Sequence, residues 1–270
     1  MKRGMVWHRV AAVLFAIAAA GFALILGSVL WAGLPDLTWH FLASWPNERT
    51  GGGGILPELI NTGVMVGLTL VITAPLGLAV AVYRREYRMR RAATLNHLRA
   101  TLLSAPTIVV GLVVYRVAVG WWHWPVSLLT GCLALAVINW PFMVTVAGEA
   151  LEGVPQGYRE ASLALGASRW QTIRRVVIPA SLAQLVEGLG MAAARLAGES
   201  AALIVTAGVN VSRHWSFWAP GETLAVHIWY IRTEGLVLNR DAAAAATGVT
   251  LMVLIAVVLW LSRRIARWLE

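Results

Sequence analysis

Residues 59–83 read LINTGVMVGLTLVITAPLGLAVAVY, a run without a single Asp, Glu, Lys, Arg or His. At 1.5 Å of helical rise per residue it exceeds the roughly 20 residues that cross a bilayer core of about 30 Å. In lipid the backbone must satisfy its own hydrogen bonds, so such a run is expected to be a helix. It ends on Arg84 and Arg85, with Arg88, Arg90, Arg91 and Arg99 close behind. Working outward, five more apolar stretches approach the same length: Val10 to Leu30, Thr101 to Val119, Ser127 to Ala147, Leu185 to Val209, and Ala243 to Leu261. The expected fold is an all-α integral membrane protein with six transmembrane helices.

The arginines orient these spans. With the amino terminus inside, the cytoplasmic segments are the start of the chain, 84–100, 148–184 and the end. They hold Lys2, Arg3, Arg9, the cluster from Arg84 to Arg99, Arg159, Arg169, Arg174, Arg175, Arg263, Arg264 and Arg267. That is 16 of 22 basic residues, and the reverse orientation would put the large cluster outside, against the positive-inside tendency. Both termini are therefore expected in the cytoplasm. The formal charge of +9 belongs to this topology control, with the lipid bilayer as partner and no nucleic acid. The first span is long for a signal-peptide core, and Trp31, Pro35 and Trp39 make a poor cleavage site, so it reads as a retained helix. Trp31, Trp39, Trp45, Trp121, Trp122, Trp124, Trp215, Trp218 and Trp229 fall in the outer segments, where an interfacial belt accounts for them. Gly51 to Gly54 supplies a flexible turn before the second span. Pro75, Pro106 and Pro141 are expected to kink spans two, three and four.

Two local patterns carry function. Span five holds Glu187, Arg195 and Glu199 among Gly and Ala. Ionisable residues at membrane depth are costly and mark either pathways or buried ion pairs. Arg195 and Glu199 are four apart, so on a continuous helix they share a face and neutralise each other. The long inner loop, 148–184, is the second pattern. Pro155 and Gly157 break the preceding helix, Tyr158 to Leu165 forms a short one ended by Gly166, and Ser168 caps the next. Trp170, Ile173, Val176 and Val177 recur at helical spacing. This is a helix–turn–helix lying on the inner face, with small and charged residues available for docking. An amphipathic hairpin without a partner is the simpler alternative.

The loop resembles a known family. Glu160-Ala161-Ser162, then Gly166, then Val176-Val177-Ile178-Pro179 is similar to the EAA loop of binding-protein-dependent ABC importer permeases. That resemblance implies a type I ABC importer permease-like fold with a cytoplasmic coupling helix, whose residues here are Tyr158, Arg159, Glu160, Ala161 and Gly166. Further stretches resemble the PstA-like subunit of phosphate importers. They are Gly52-Gly53-Gly54-Ile55 with Asn61-Thr62, Pro75-Leu76-Gly77, Tyr83-Arg84-Arg85-Glu86-Tyr87, and Ala194 to Leu203 beside the Arg-x-x-Gly-Glu-Thr-Ala-Pro-Leu pattern. Gly221 to Gly235 is similar to that subunit's last outer loop. By this resemblance Arg195, Glu199 and Ser200 line the translocation path of an importer of inorganic phosphate in the bacterial cytoplasmic (inner) membrane. The implied partners are a PstC-like second permease subunit, two copies of a PstB-like ATPase and an extracytoplasmic phosphate-binding protein. Ser200 replaces the family's Thr, Ala202 replaces its Pro, and Pro179 is not followed by Pro-Gly-Ile, which leaves another oxyanion open.

The resemblance divides the chain into an N-terminal helix and outer segment, 1–57, a permease core, 58–262, and a cytoplasmic tail, 263–270. Lys2 is the sole lysine, so the Gly-x-x-x-x-Gly-Lys nucleotide loop cannot occur. The subunit is expected to be non-catalytic and without a cofactor of its own, ATP and Mg being bound by partner ATPases. Cys132 is the single cysteine, which excludes an intramolecular disulfide, and no metal site is expected. A self-sufficient secondary carrier would need no ATPase, and a scaffolding subunit would line no pathway. Both stay open at this point.

Overall fold

Long apolar sequences with few breakers form long helices here, and each interruption has a chemical cause. The computed structural model describes residues 2–47, 52–87, 92–210, 212, 214–234 and 239–269. Gly51, Arg88, Arg90, Arg91 and Gly235, invoked above, lie outside these. The helices are α1 (Lys2–Gly33), α2 (Trp39–Ala43), α3 (Leu56–Glu86), α4 (Ala92–Ser104), α5 (Thr107–Tyr115), α6 (Leu128–Gly153), α7 (Gln156–Ala164), α8 (Arg169–Thr172), α9 (Ile178–Ala197), α10 (Ala201–Thr206), α11 (Leu224–Glu234) and α12 (Arg240–Leu269). Two-residue strands β1 (Pro46–Asn47) and β2 (Gly52–Gly53) pair antiparallel. Among the described residues five helical stretches are long and apolar enough to cross a membrane, or six if one bent pair counts as a single span.

The bent pair is the expected third span. His97–Ser104 and Thr107–Trp121 meet at 100° rather than continuing straight through Thr101 to Val119. Pro106 sits at the break with ψ 129°, an extended conformation, and proline disfavours helix in the residue before it. Pro75 and Pro141 behave differently: α3 and α6 run on through them. Packing against neighbouring helices lets a span tolerate a proline without breaking.

The fifth span also departs from expectation. Its helix starts at Arg169, not Leu185, and runs through a π-helical turn, Ile173–Val177, into α9. Pro179 falls at the start of α9, where the wider turn accommodates a residue without an N–H. The helix stops at Ala197, Gly198 ends it, and α10 begins again at Ala201. Span five is thus two helices with a three-residue break. The segment expected to be the last outer loop, in turn, contains a helix, α11, whose Leu224 and Val226 are fully buried.

The described residues fall into two compact units. One comprises Met1–Leu56 and Ile231–Thr250. Within it Gly33 lies against the backbone of Ala245 and Ala246, where a Cβ would come within 2.8 Å of the Ala246 nitrogen. Arg232 and Asp241 form an exposed ion pair at 3.2 Å. Along α1 the side chains Val13, Leu14, Phe15, Ile17, Phe22, Leu24 and Ile25 are exposed, the pattern of a helix that takes lipid or a partner as its surroundings. The other unit comprises Pro57–Tyr230 and Leu251–Glu270. One core cluster there joins Ala81, Ala147, Leu151, Val154, Ile173 and Val177. A second joins Met65, Leu128, Leu135, Leu196, Leu203 and Val226. Gly188 seats α9 against Val146 of α6 with no room for a Cβ, so these two helices pack backbone to side chain.

Candidate functional site

At one end of α3 lies the loop segment 155–177. Pro155 starts α7, and the exposed side of that helix carries Tyr158, Glu160, Ala161, Leu163 and Leu165. Leu165 is 89% exposed and Trp170 56%, large apolar surfaces beside a charged carboxylate. Gly166 adopts φ +83°, the left-handed region that glycine enters without a Cβ penalty. A Cβ built there meets nothing within 4 Å, so within this chain Gly166 is needed for the turn and not for close packing. Ser168 then caps α8 in a capping box: its hydroxyl accepts from the Gln171 N–H at 3.3 Å, and the Gln171 side chain accepts from the Ser168 N–H at 2.8 Å. Ser162 and Thr172 hydroxyls meet at 2.9 Å and tie α7 to α8.

Arg159 has a different place from its neighbours. It is buried, with Nε donating to Glu86 Oε1 at 3.1 Å. Its two terminal nitrogens donate to the carbonyls of Val154 at 2.7 Å and Leu151 at 2.8 Å. Those carbonyls belong to the end of α6, which has no helical partners left for them. Arg159 therefore staples α7 to the ends of α3 and α6, while Tyr158, Glu160 and Ala161 face outward.

Arg195 and Glu199 do not form the ion pair that continuous helical spacing implies. The helix ends between them, Gly198 being its cap, and the Glu199 N–H bonds back to the Leu196 carbonyl at 3.1 Å. No described carboxylate lies within ion-pair distance of Arg195. Its side chain is exposed, and the guanidinium sits 5.2 Å from the centre of the Phe142 ring, a cation–π contact. Ser200 opens α10 and is half-buried, its carbonyl accepting from Leu203 and Ile204 at 3.0 Å each. The break thus gathers a guanidinium, a carboxylate and a hydroxyl residue in six positions.

A third constellation, not singled out from the sequence, lies at the opposite end of α3. Asn61 donates to the Glu222 carbonyl at 3.0 Å and accepts from Trp215 Nε1 at 3.0 Å. Thr62 accepts the Leu224 N–H at 2.9 Å. These bonds hold the segment 215–224 over α3. Beneath it Glu58, Glu222 and His227 converge, with His227 Nδ1 3.1 Å from Glu222 Oε1 and 3.6 Å from Glu58 Oε1.

Residues 73–270 match the family described as binding-protein-dependent transport system inner membrane component. The chain belongs to that family. This permease is 34% identical to the probable ABC transporter permease protein YqgI of Bacillus subtilis, covering 97% of the chain and 94% of the relative. It is also 34% identical to the phosphate transport system permease protein PstA of Haemophilus influenzae, covering 85% of the chain and 82% of the relative. Among solved structures its fold resembles a chain of a bacterial alginate ABC transporter, with TM-score 0.67, 15% identity and 94% of each chain covered. It likewise resembles a chain of the inward-facing MetNI methionine ABC transporter, with TM-score 0.63, 22% identity and coverage of 80% and 94%. The permease is therefore a multi-pass subunit of an ABC importer with the type I fold.

What the sequence missed in this permease is the polar end of α3. Glu58 stands one residue outside the apolar run, and Glu222 and His227 fall in a stretch taken as loop. The signal was present in the spacing: Glu58, Asn61 and Thr62 follow helical periodicity, as they must to face one neighbour.

Proposed function

We propose that this permease forms half of the translocation path of an ATP-driven importer of inorganic phosphate. The observation that carries this is Arg195, an exposed guanidinium without a described carboxylate partner, at a break in a membrane-spanning helix. Its several N–H donors suit a tetrahedral oxyanion, which accepts more than one of them at once. Glu199 and Ser200 stand at the same break, the carboxylate limiting how tightly an anion is held. The relatives named as phosphate transport permeases support the choice of anion: besides that of Haemophilus influenzae, the PstA of Yersinia pestis is 32% identical over 72% of the chain.

Energy reaches the path through α7. Its exposed Tyr158, Glu160 and Ala161, with Leu163 and Leu165, are the surface offered to a PstB-like ATPase, two copies of which bind ATP and Mg. Gly166 sets the turn that holds this surface. A PstC-like second permease covers the rest of the path, and an extracytoplasmic phosphate-binding protein delivers the anion. Motion of α7 passes into α3 and α6 through Arg159 and into α9 through the continuous helix from Arg169. In this reading both termini and the α7 end of the chain lie in the cytoplasm, as the arginine distribution supports.

The test is reconstitution of the permease with its partners in vesicles, followed by uptake of labelled phosphate in competition with sulfate and molybdate. ATP-dependent uptake blocked by unlabelled phosphate alone is the expected result. Uptake of labelled sulfate or molybdate in preference to labelled phosphate would reassign the anion, and uptake without an ATPase would reject the importer.

A further inference from the structure

Glu58 is the most deeply buried ionisable side chain described, with 0% of its surface exposed, and neither of its carboxylate oxygens has a hydrogen-bond partner. Its one ionic neighbour is the His227 ring at 3.6 Å, too far for a hydrogen bond, and a buried carboxylate so loosely partnered is costly to keep. The neighbours are not idle bystanders. Glu222 Oε1 and His227 Nδ1 lie 3.1 Å apart, Glu58 Oε1 is 3.6 Å from the same Nδ1, and one ligand atom from each residue falls within 4.8 Å of the others. The side chains of Glu222 and His227 are 4% and 12% exposed, so the cluster is sealed except on the histidine side.

We propose that Glu58, Glu222 and His227 form a binding site for a divalent transition-metal cation of the Zn²⁺ kind. Zinc takes imidazole nitrogen and carboxylate oxygen at about 2.0–2.2 Å, which places its donor atoms about 3–4 Å from one another. Two of the three separations, 3.1 and 3.6 Å, already have that spacing, and the third lies within 4.8 Å, a gap that side-chain rotation closes. Two carboxylates and a neutral imidazole around a dication make a buried group with no net charge, and the ion supplies the Glu58 oxygens with the direct contact that the 3.6 Å approach to His227 does not. Asn61 adds the outer support such sites require, since it holds the Glu222 backbone through its carbonyl and is itself held by Trp215. The bound ion joins α3, the segment before α11, and α11 itself. It therefore fixes the end of α3 that lies opposite α7, about 40 Å away along a helix rising 1.5 Å per residue. This departs from the expectation that the chain holds no metal of its own, and it is independent of which anion is carried.

The experiment uses the full-length permease purified in detergent with an affinity tag free of histidine, stripped with a chelator and then exposed to Zn²⁺. Metal content after desalting should be one Zn²⁺ per chain, with a melting temperature raised by the metal. X-ray absorption at the zinc edge should show one nitrogen and two or more oxygens at about 2.0–2.1 Å and no sulfur. Glu58→Gln keeps the size of the side chain and removes the charge. It should weaken Zn²⁺ binding at least as much as the roughly 10–100-fold that outer-shell changes cost, and its melting temperature should no longer respond. Exposed His123 is the control, and His123→Ala should bind as the parent does. If Glu58→Gln does not fold, His227→Gln gives the same reading from the accessible side. No Zn²⁺ retained by the parent, or one equivalent retained by both Glu58→Gln and His227→Gln, would overturn the site.

Discussion

Arg159 and Arg195 occupy two regions of the same unit and have opposite surroundings. Arg159 is buried and spends its donors on Glu86 and on two carbonyls at the end of α6. Arg195 is exposed, rests on the face of Phe142, and meets no described carboxylate. A guanidinium whose hydrogen bonds are filled within its own chain is committed to holding helices together. One with donors still available has them for something that comes and goes. In the proposed mechanism the coupling end is therefore built on a fixed charge, and the path on an uncommitted one.

The sharpest way to break this contrast is to remove the fixed charge. Arg159→Leu leaves Glu86 and two helix-end carbonyls without partners, and losing one member of a buried pair costs about 3–5 kcal/mol. Thermal unfolding in detergent should show a large drop or no folded protein at all, and Arg159→Lys should recover part of it. A melting temperature equal to the parent's would mean the staple is not structural.

Gly166 tests the outward side of the same region with a smaller effect. A residue with a Cβ in the left-handed region costs roughly 1–2 kcal/mol, and here nothing else opposes it, since the space around the position is open. Gly166→Ala should therefore insert and fold with modest destabilisation, while ATP hydrolysis stimulated by substrate falls in the assembled complex. Parental stability together with parental stimulation would remove this turn from the coupling pathway.

Arg195 and Glu199 should be energetically independent. In a double-mutant cycle of Arg195→Leu and Glu199→Leu, the coupling in unfolding free energy should lie within the roughly 0.3–0.5 kcal/mol seen for separate sites. A coupling above about 1 kcal/mol would restore the ion pair that helical spacing suggested. The two ends of the unit can also be assigned to sides of the membrane with no stability cost. The native Cys132 is buried, so cysteines placed at exposed Leu165 and Ser216 report alone. Reagent added outside intact cells should reach Ser216→Cys and not Leu165→Cys, and the opposite pattern would invert the topology.

How far the sequence carried depends on the kind of evidence each residue leaves. Spans show because lipid demands long apolar runs, and the α7 turn shows because Gly166 and Ser168 act locally. The break at Gly198 was hidden, since glycine, alanine and a charged pair at spacing four also fit an unbroken helix. Arg159 looked like its exposed neighbours because its partners, Glu86 and the carbonyls of Leu151 and Val154, reach it only through tertiary packing. Pro75, Pro106 and Pro141 read alike, yet only Pro106 separates two helices, because what surrounds a proline decides whether the helix survives it. The cluster of Glu58 with Glu222 and His227 joins residues more than 160 positions apart, and local pattern does not record such a meeting.

The direct measurement of the central claim is phosphate uptake by the reconstituted complex carrying Arg195→Leu. Because this guanidinium holds no described buried partner, its loss should leave assembly and melting temperature near those of the parent; a cation–π contact at an exposed site contributes only about 0.5–1 kcal/mol. Uptake should fall at least tenfold, with Arg195→Lys restoring part of it through its charge but not its donor fork. Parental uptake by a well-assembled Arg195→Leu complex would contradict the account and take Arg195 off the translocation path.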